Sequence, residues 1–245
     1  GLAAASLDLL IGQAGLISFG HAAFFGLGAY GVAVLAADGI ATEAWIAWPV
    51  AVAVAALAAL AVGALSLRVA GAGFIMITLA FAEMLFFFFV SWKSHGGDDG
   101  LSFRRRNALP GLDPRDDTVF YAVCLAALLA FLLLARLVLR ARFGMILHGL
   151  RQNPARLRAL GVAPYPYQLA CFTLGGAGAG LAGALQANLL RFASPDLLHW
   201  TTSGELMVMV VLGGAGSLYG AVLGAFVFIL AQSFLGRWTE HWMIV

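Results

Sequence analysis

The chain has 245 residues, of which 62% are hydrophobic and only 11% are charged. A soluble domain of ordinary composition carries about 25% charged residues, so this sequence lacks the charge needed to cover a surface in water. That excludes a soluble globular enzyme and a disordered chain. The 14 basic and 12 acidic residues nearly balance, which excludes a strongly basic nucleic-acid-binding protein. We therefore expect an integral membrane protein whose main solvent is lipid.

Six long intervals with few or no charges follow one another along the chain. A helix that spans a bilayer needs about 20 apolar residues, and only helices satisfy their own backbone polar groups in hydrocarbon when no barrel-type alternation is present. We therefore predict an all-α integral membrane protein, a polytopic helical bundle with at least six membrane-embedded segments. The spans are expected near 9–37, 44–67, 69–92, 118–139, 167–190 and 206–236.

Glycine is concentrated in parts of three of these intervals: 12–31, 175–183 and 213–224 hold 16 of the 30 glycines. Glycines spaced by four, such as Gly176 and Gly180, allow helices to pack closely. Glycines can also break a membrane helix, so that its unwound backbone lines a cavity. We favour close packing for 167–190, whereas both interpretations stay open for 12–20 and 213–217. The bundle is thus expected to contain broken or closely packed glycine-rich helices.

Two hydrophilic segments separate the later spans. Residues 93–117 carry five basic and five acidic residues, whereas residues 136–158 carry six arginines and no acid. Because cytoplasmic loops are enriched in Lys and Arg, we place 136–158 in the cytoplasm. Within it, Asn153 and Pro154 are typical of a helix start, and Gly161 of a helix end. A short helix over 154–160 is therefore predicted, either as a docking element or as a linker held near anionic lipid.

The sequence contains none of the common motifs that indicate an enzyme. The single lysine, Lys93, is not part of a phosphate-binding GxxxxGK[ST] loop, and neither HExxH nor GxSxG occurs. Ser18 and His21 are three residues apart and could share a helix face, but no third group completes a catalytic arrangement. Asp98 and Asp99 are interpreted as a solvated turn. We predict no catalytic residue, no metal site and no cofactor.

Ionisable and polar groups inside the spans are the candidates for a translocation path. Such groups are costly at bilayer depth and face the bundle interior or a wet cavity. Glu83 has apolar neighbours on its own helix face, so its partner is expected on another helix, as part of a path or as an interhelical hydrogen bond. Glu205 is expected near the membrane interface. The candidates are Ser18, His21, Glu83, Glu205, Gly213, Gly214 and Ser217.

Four stretches carry a resemblance to a known family. They are 12–30 (GQAGLISFGHAAFFGLGAY); 78–84 followed by 96–102; 149–154 with 159–162 and 180–185; and 211–220 (VLGGAGSLYG). Together they resemble the permease subunits of ATP-binding-cassette importers for branched-chain amino acids, specifically the M-type permease. The related permeases also carry urea, short amides or sugars, so the cargo stays open.

The resemblance implies a multi-pass protein of the bacterial inner membrane that works by alternating access. Its implied partners are a second homologous permease subunit, two ATPase subunits and a periplasmic substrate-binding protein. It implies a periplasmic loop at 93–117 and a cytoplasmic coupling loop at 140–162. The coupling residues would be Arg151, Asn153, Pro154, Arg156, Ala159, Leu160 and Gly161.

Two further expectations concern the start of the chain and an alternative function. The chain starts at Gly1 without Met or a signal-peptide pattern, and the family has a helix before the first motif, so we expect an N-terminal truncation. The alternative function is an ion-coupled secondary transporter that uses Glu83 and His21.

Overall fold

The computed structural model describes residues 1–40, 43–103, 106–107 and 116–235, and it consists almost entirely of helices. Parts of the predicted 93–117 loop and the last residue of the predicted 206–236 span lie outside these ranges. The helices are α1 (Leu2–Asp8), α2 (His21–Ala37), α3 (Ala44–Ser66), α4 (Ala72–Ser91), α5 (Asp117–Arg140), α6 (Arg142–Gln152), α7 (Pro154–Ala159), α8 (Pro164–Leu190), α9 (Trp200–Gly213) and α10 (Leu218–Leu235).

Four of the described helices, α3, α4, α5 and α8, are long and apolar enough to cross a membrane. Helices α9 and α10 meet at a bend of 114° and make a fifth span if they are counted together. Two shorter apolar helical stretches, Leu2–Ala14 and His21–Ala37, complete the bundle. The predicted all-α polytopic membrane protein is confirmed. The predicted intervals 9–37 and 206–236 are each divided between two helical stretches.

Helix α8 lies at the centre of the bundle and packs against α1, α2 and α3. Its glycines permit very short distances between helix axes. A Cβ atom on Gly180 would collide with Ala55 of α3, and one on Gly183 would collide with the carbonyl group of Phe25 in α2. Helix α3 presents fully buried alanines at intervals of four residues towards α8. The small residues of 167–190 therefore form packing seams.

The outer faces of the bundle are strongly apolar. Leu129 and Leu133 of α5 and Leu223 and Phe226 of α10 are more than half exposed. A contiguous apolar surface of this kind is rare on a soluble monomer. It fits a protein whose outer side chains contact lipid or other membrane subunits.

A short two-stranded sheet closes one end of the bundle. Strand β1 (Leu101–Ser102) pairs antiparallel with β2 (Phe192–Ala193), so that Leu101 lies opposite Ala193. The turn before β2 requires a left-handed backbone at Arg191, with φ of 56°. This pairing ties the predicted periplasmic loop to the connection between α8 and α9.

The opposite polar segment, 140–162, is largely helical, whereas the sequence indicated only one short helix at 154–160. Helix α6 buries Gly144, Leu147 and Leu150, which recur at intervals of three residues. The polar residues on the outer face of α6 lower the mean hydropathy of this segment. It therefore does not stand out as an apolar interval, and its amphipathic pattern was missed. The predicted coupling loop is therefore a pair of consecutive helices, α6 and α7.

Candidate functional site

The first glycine-rich segment is a true break in the helix. After α1 the chain continues as a π-helical turn, Leu9–Ala14, and then reaches Gly15, which has a φ of 70°. A left-handed residue ends a helix readily when it is glycine, because no Cβ atom meets the backbone. Residues 15–20 are not helical, and α2 begins at His21. We call 15–20 the first break.

The last glycine-rich segment is a second break. Helix α9 ends at Gly213, and the turn before α10 contains Gly214 and Gly216, with φ values of 87° and 101°. Ser217 accepts a hydrogen bond at Oγ from the N–H of Gly220, at 3.1 Å, which satisfies a free amide at the start of α10. Gly213 and Gly220 touch through their backbones, so neither has room for a side chain. We call 214–217 the second break.

The helical stretch before the first break, Leu2–Ala14, contacts the second break through two side chains. The buried carboxylate of Asp8 accepts a hydrogen bond at Oδ1 from the N–H of Gly216, at 2.6 Å. The Nε2 of Gln13 donates to the carbonyl of the same glycine, at 2.9 Å. Gly12 lies between them, where a Cβ atom would overlap both Asp8 and Gly216. The N–H and the carbonyl of Gly216 are thus both bound by side chains of the stretch Leu2–Ala14.

Arg151, near the end of α6, reaches this same contact. Its guanidinium group donates to the carbonyl of Gly12. Its Cγ atom lies 3.2 Å from the position that a Cβ atom would take on Gly15. One side chain of the predicted coupling segment therefore touches the π-helical turn and the first break. We call Asp8, Gly12, Gln13, Arg151 and Gly216 the junction.

Sequence reasoning named Arg151 but missed Asp8 and Gln13. The available signal was a carboxylate immediately before a long uncharged interval, where a buried charge needs a partner. That partner, the Gly216 amide, is 208 residues away along the chain. Sequence spacing offers no means of pairing them.

The short helix predicted over 154–160 is observed as α7, and most of its residues are exposed. The Oδ1 of Asn153 accepts a hydrogen bond from the N–H of Arg156 at 3.0 Å, and Pro154 is the first helical residue. Leu160 follows the helix and is 73% exposed. Gly161 has a φ of 82°, and no atom lies within 4 Å of a Cβ placed there. Arg156 and Ala159 are also exposed, so this segment offers a free surface.

Ser18 and His21 are both buried, but they do not form a pair. The Oγ of Ser18 accepts from the N–H of Gly20 at 3.2 Å, inside the first break. The Nε2 of His21 lies 2.8 Å from the Oγ of Ser6 on α1. Because Ser18 precedes α2, the expected shared helix face is wrong. Each residue instead fixes the backbone where α2 begins.

Glu83 and Glu205 lie on different helices. Glu83 is half-buried on α4, and its Oε1 is buried without a hydrogen-bond partner in the described part of the chain. Glu205 lines a cavity of about 540 Å³ together with Gln186 and Thr202. Within the described ranges, no three His, Cys, Asp or Glu side chains lie close enough to hold a metal ion.

The Ser6–His21 pair provides a direct test of this packing. Replacing Ser6 by alanine leaves the Nε2 of a fully buried imidazole without its partner. An unsatisfied buried polar group costs about 1–3 kcal/mol, so we expect the apparent thermal midpoint of Ser6→Ala to fall. The matched control is Ser94→Ala, since Ser94 forms a similar contact with His95 on the surface. A surface change of this kind shifts stability by less than about 0.5 kcal/mol; equal losses in both variants would contradict the burial.

The comparisons with known proteins agree with this architecture. The family model described as the permease component of branched-chain amino acid transport systems matches residues 1–245. The chain belongs to this permease family. Curated relatives include the high-affinity branched-chain amino acid transport system permease protein LivM of Escherichia coli (strain K12) and of Salmonella typhimurium (strain LT2), each 28% identical over 263 residues. The alignment covers 98% of this chain and 62% of each relative's length. No solved structure matched the permease chain.

Proposed function

We propose that the chain is the permease subunit of an ATP-binding-cassette importer, which moves branched-chain amino acids or a related small polar solute across the bacterial inner membrane. Transport would proceed by alternating access and would be driven by two partner ATPase subunits. The observation that carries this proposal is the contact of Arg151 with the buried Gly12 and with Gly15, because it connects an exposed polar segment with the π-helical turn and the first break.

The exposed surface around α7 supports ATPase docking. Membrane subunits of this kind receive work only through a contact with their motor, and this chain shows no phosphate-binding loop of its own. Leu160 exposes a large apolar side chain next to a capped helix. A single apolar anchor surrounded by polar groups is typical of a protein interface. We infer that Asn153, Pro154, Arg156, Ala159, Leu160 and Gly161 contact the ATPase, on the cytoplasmic side.

The two breaks support a translocation path near the junction. Unwound backbone at membrane depth is tolerated where protein or a wet cavity surrounds it, and transporters commonly place their sites at such discontinuous helices. Ser18, Gly214 and Ser217 lie within the breaks, and His21 and Gly213 border them. We propose these residues as the path, with Glu83 and Glu205 as further polar contacts. A second permease subunit and a periplasmic binding protein would complete the importer.

The ATPase contact is tested by co-purification of the complete transporter from its native source. Leu160→Glu places a charge at the centre of the proposed interface, and we expect loss of the ATPase pair, as for Gly161→Trp. Burying an unpaired carboxylate in an apolar contact costs several kcal/mol. Leu160→Met is the matched control and should retain the ATPase. Retention by Leu160→Glu and Gly161→Trp would contradict docking at α7.

Ion-coupled transport predicts a different energy source. Uptake that continues without ATP hydrolysis but stops when the ion gradient collapses would favour that alternative over an importer. The buried contact of His21 with Ser6 supports a structural role for this imidazole, so we do not assign it to ion transfer.

A further inference from the structure

A second cavity, of about 560 Å³, lies where the turn 67–71 joins α3 to α4. Its other walls come from residues 14–17 at the first break and from α6 and α7. Helices α3 and α4 are both long and apolar enough to span a membrane. We therefore expect the turn between their ends, and the cavity beside it, at the depth of the lipid headgroups.

Three arginines from three separate segments line this cavity. Arg68 follows α3, Arg151 belongs to α6, and Arg158 belongs to α7. No aspartate or glutamate is part of its lining. The two ion pairs identified in the described ranges, His95–Asp38 and Arg106–Asp117, involve none of the three. Arg151 also lies near Asp8 of the junction, whereas Arg68 and Arg158 place positive charge around an open volume whose lining contains no carboxylate.

The start of α4 adds partial positive charge to the same wall. Gly71 and Ala72, the N-cap and first residue of this 20-residue helix, both line the cavity. The helix start has no side-chain cap and no acidic residue in its first turn. The exposed N–H groups of a helix start favour an anion, as do guanidinium groups, which match the geometry of phosphate oxygens.

Apart from Gln168 and two glycines, the remaining lining is apolar. Ile17 and Val69 are both more than 40% exposed at the rim, and Leu67 and Phe74 extend the apolar surface inwards. A soluble phosphate ion gains no binding energy from contact with such an apolar surface. A phospholipid, in contrast, presents a phosphate and hydrocarbon chains within one molecule, at the depth where this cavity opens.

We propose that this cavity binds the phosphate group of an anionic phospholipid, with Arg68 and Arg158 as its main ligands. The proposal requires the membrane-embedded fold but not ATPase coupling, since Arg68 and the start of α4 lie outside the coupling segment. Arg158 lies on α7, so Arg68→Gln is the variant that separates lipid binding from ATPase docking. The bound lipid would hold the turn 67–71 against α7. Arg151 also lines the cavity, but its guanidinium group already donates a hydrogen bond to the carbonyl of Gly12 in the junction, so we do not count it among the main ligands.

The test is native mass spectrometry of the complete transporter, extracted in mild detergent and supplied with phosphatidylglycerol or phosphatidylethanolamine. Each arginine near a membrane surface contributes about a five-fold preference for anionic lipid. We expect Arg68→Gln and Arg158→Gln each to reduce retained phosphatidylglycerol by that factor, and the double variant by more. Arg142→Gln, in the same basic segment but outside the cavity lining, should retain wild-type levels. Phosphatidylethanolamine retention should be low and unchanged throughout.

Three outcomes would overturn the proposal. Equal phosphatidylglycerol retention by the wild type and the double variant would show that Arg68 and Arg158 do not bind the lipid. Displacement of the lipid by millimolar inorganic phosphate would assign the cavity to a soluble anion. Loss of the ATPase subunits from Arg68→Gln, with lipid retention unchanged, would assign the arginine to a protein contact. Because lipid retention and ATPase association are measured separately, failure here leaves the proposed function untouched.

Discussion

Gly183→Ala is expected to destabilise the transporter strongly, although it adds only one methyl group. The new Cβ atom would overlap the carbonyl carbon and oxygen of Phe25 in α2. Backbone atoms cannot rotate aside as a flexible side chain can, so α2 and the central helix α8 would have to separate. Overpacking usually costs about 1–3 kcal/mol, and we expect the upper end of that range. The measurement is the apparent midpoint of thermal unfolding of the purified transporter.

The matched control is Gly204→Ala. Gly204 lies within α9, and no atom lies within 4 Å of a Cβ placed there. Alanine in the interior of a helix is favoured over glycine by about 0.5–1 kcal/mol, so this variant should melt at the wild-type temperature or slightly above it. If the two variants melt together, α2 and α8 are not in backbone contact at Gly183.

The packing seams and the short helix α7 could be foreseen because their causes are local. Gly176 and Gly180 are four residues apart, so they fall on one face of a helix wherever that helix packs. Asn153 and Pro154 carry the chemistry of a helix start in their own side chains and ring. In each case, the residues that produce the feature are neighbours in the sequence.

The breaks and the junction could not be foreseen to the same extent. Glycine-rich stretches at 12–20 and 213–217 permitted either close packing or unwinding, and the structure contains both at once. Gly214 and Gly216 adopt left-handed backbone conformations, while Gly213 and Gly220 are pressed together in the adjoining helices. Two hydrogen bonds hold the turn: the N–H of Gly216 donates to the Asp8 carboxylate, and the Gly216 carbonyl accepts from the Gln13 side chain. Contacts over such separations leave no periodic pattern in the sequence.

Arg151→Gln is expected to uncouple ATP hydrolysis from transport while leaving the ATPase subunits bound. The variant loses the charged donor to the Gly12 carbonyl, whereas the exposed surface of α7 and Leu160 is unchanged. Coupling between two sites is commonly worth 1–3 kcal/mol. We therefore expect about a ten-fold fall in solute transported per ATP hydrolysed in proteoliposomes. Arg142→Gln, an exposed arginine at the start of the same helix, should keep the wild-type ratio.

Because Arg151 also lines the arginine cavity, a second junction variant separates the two roles. Gln13→Ala removes the donor to the Gly216 carbonyl, and Gln13 is not part of the cavity lining. If the junction transmits the movement of α6 to the breaks, Gln13→Ala should uncouple transport in the same direction as Arg151→Gln, by a smaller factor because a neutral hydrogen bond is weaker than a charged one. If lipid binding were the cause, Arg68→Gln would reproduce the Arg151 effect and Gln13→Ala would not. Wild-type coupling in both Arg151→Gln and Gln13→Ala would remove the junction from the transport mechanism.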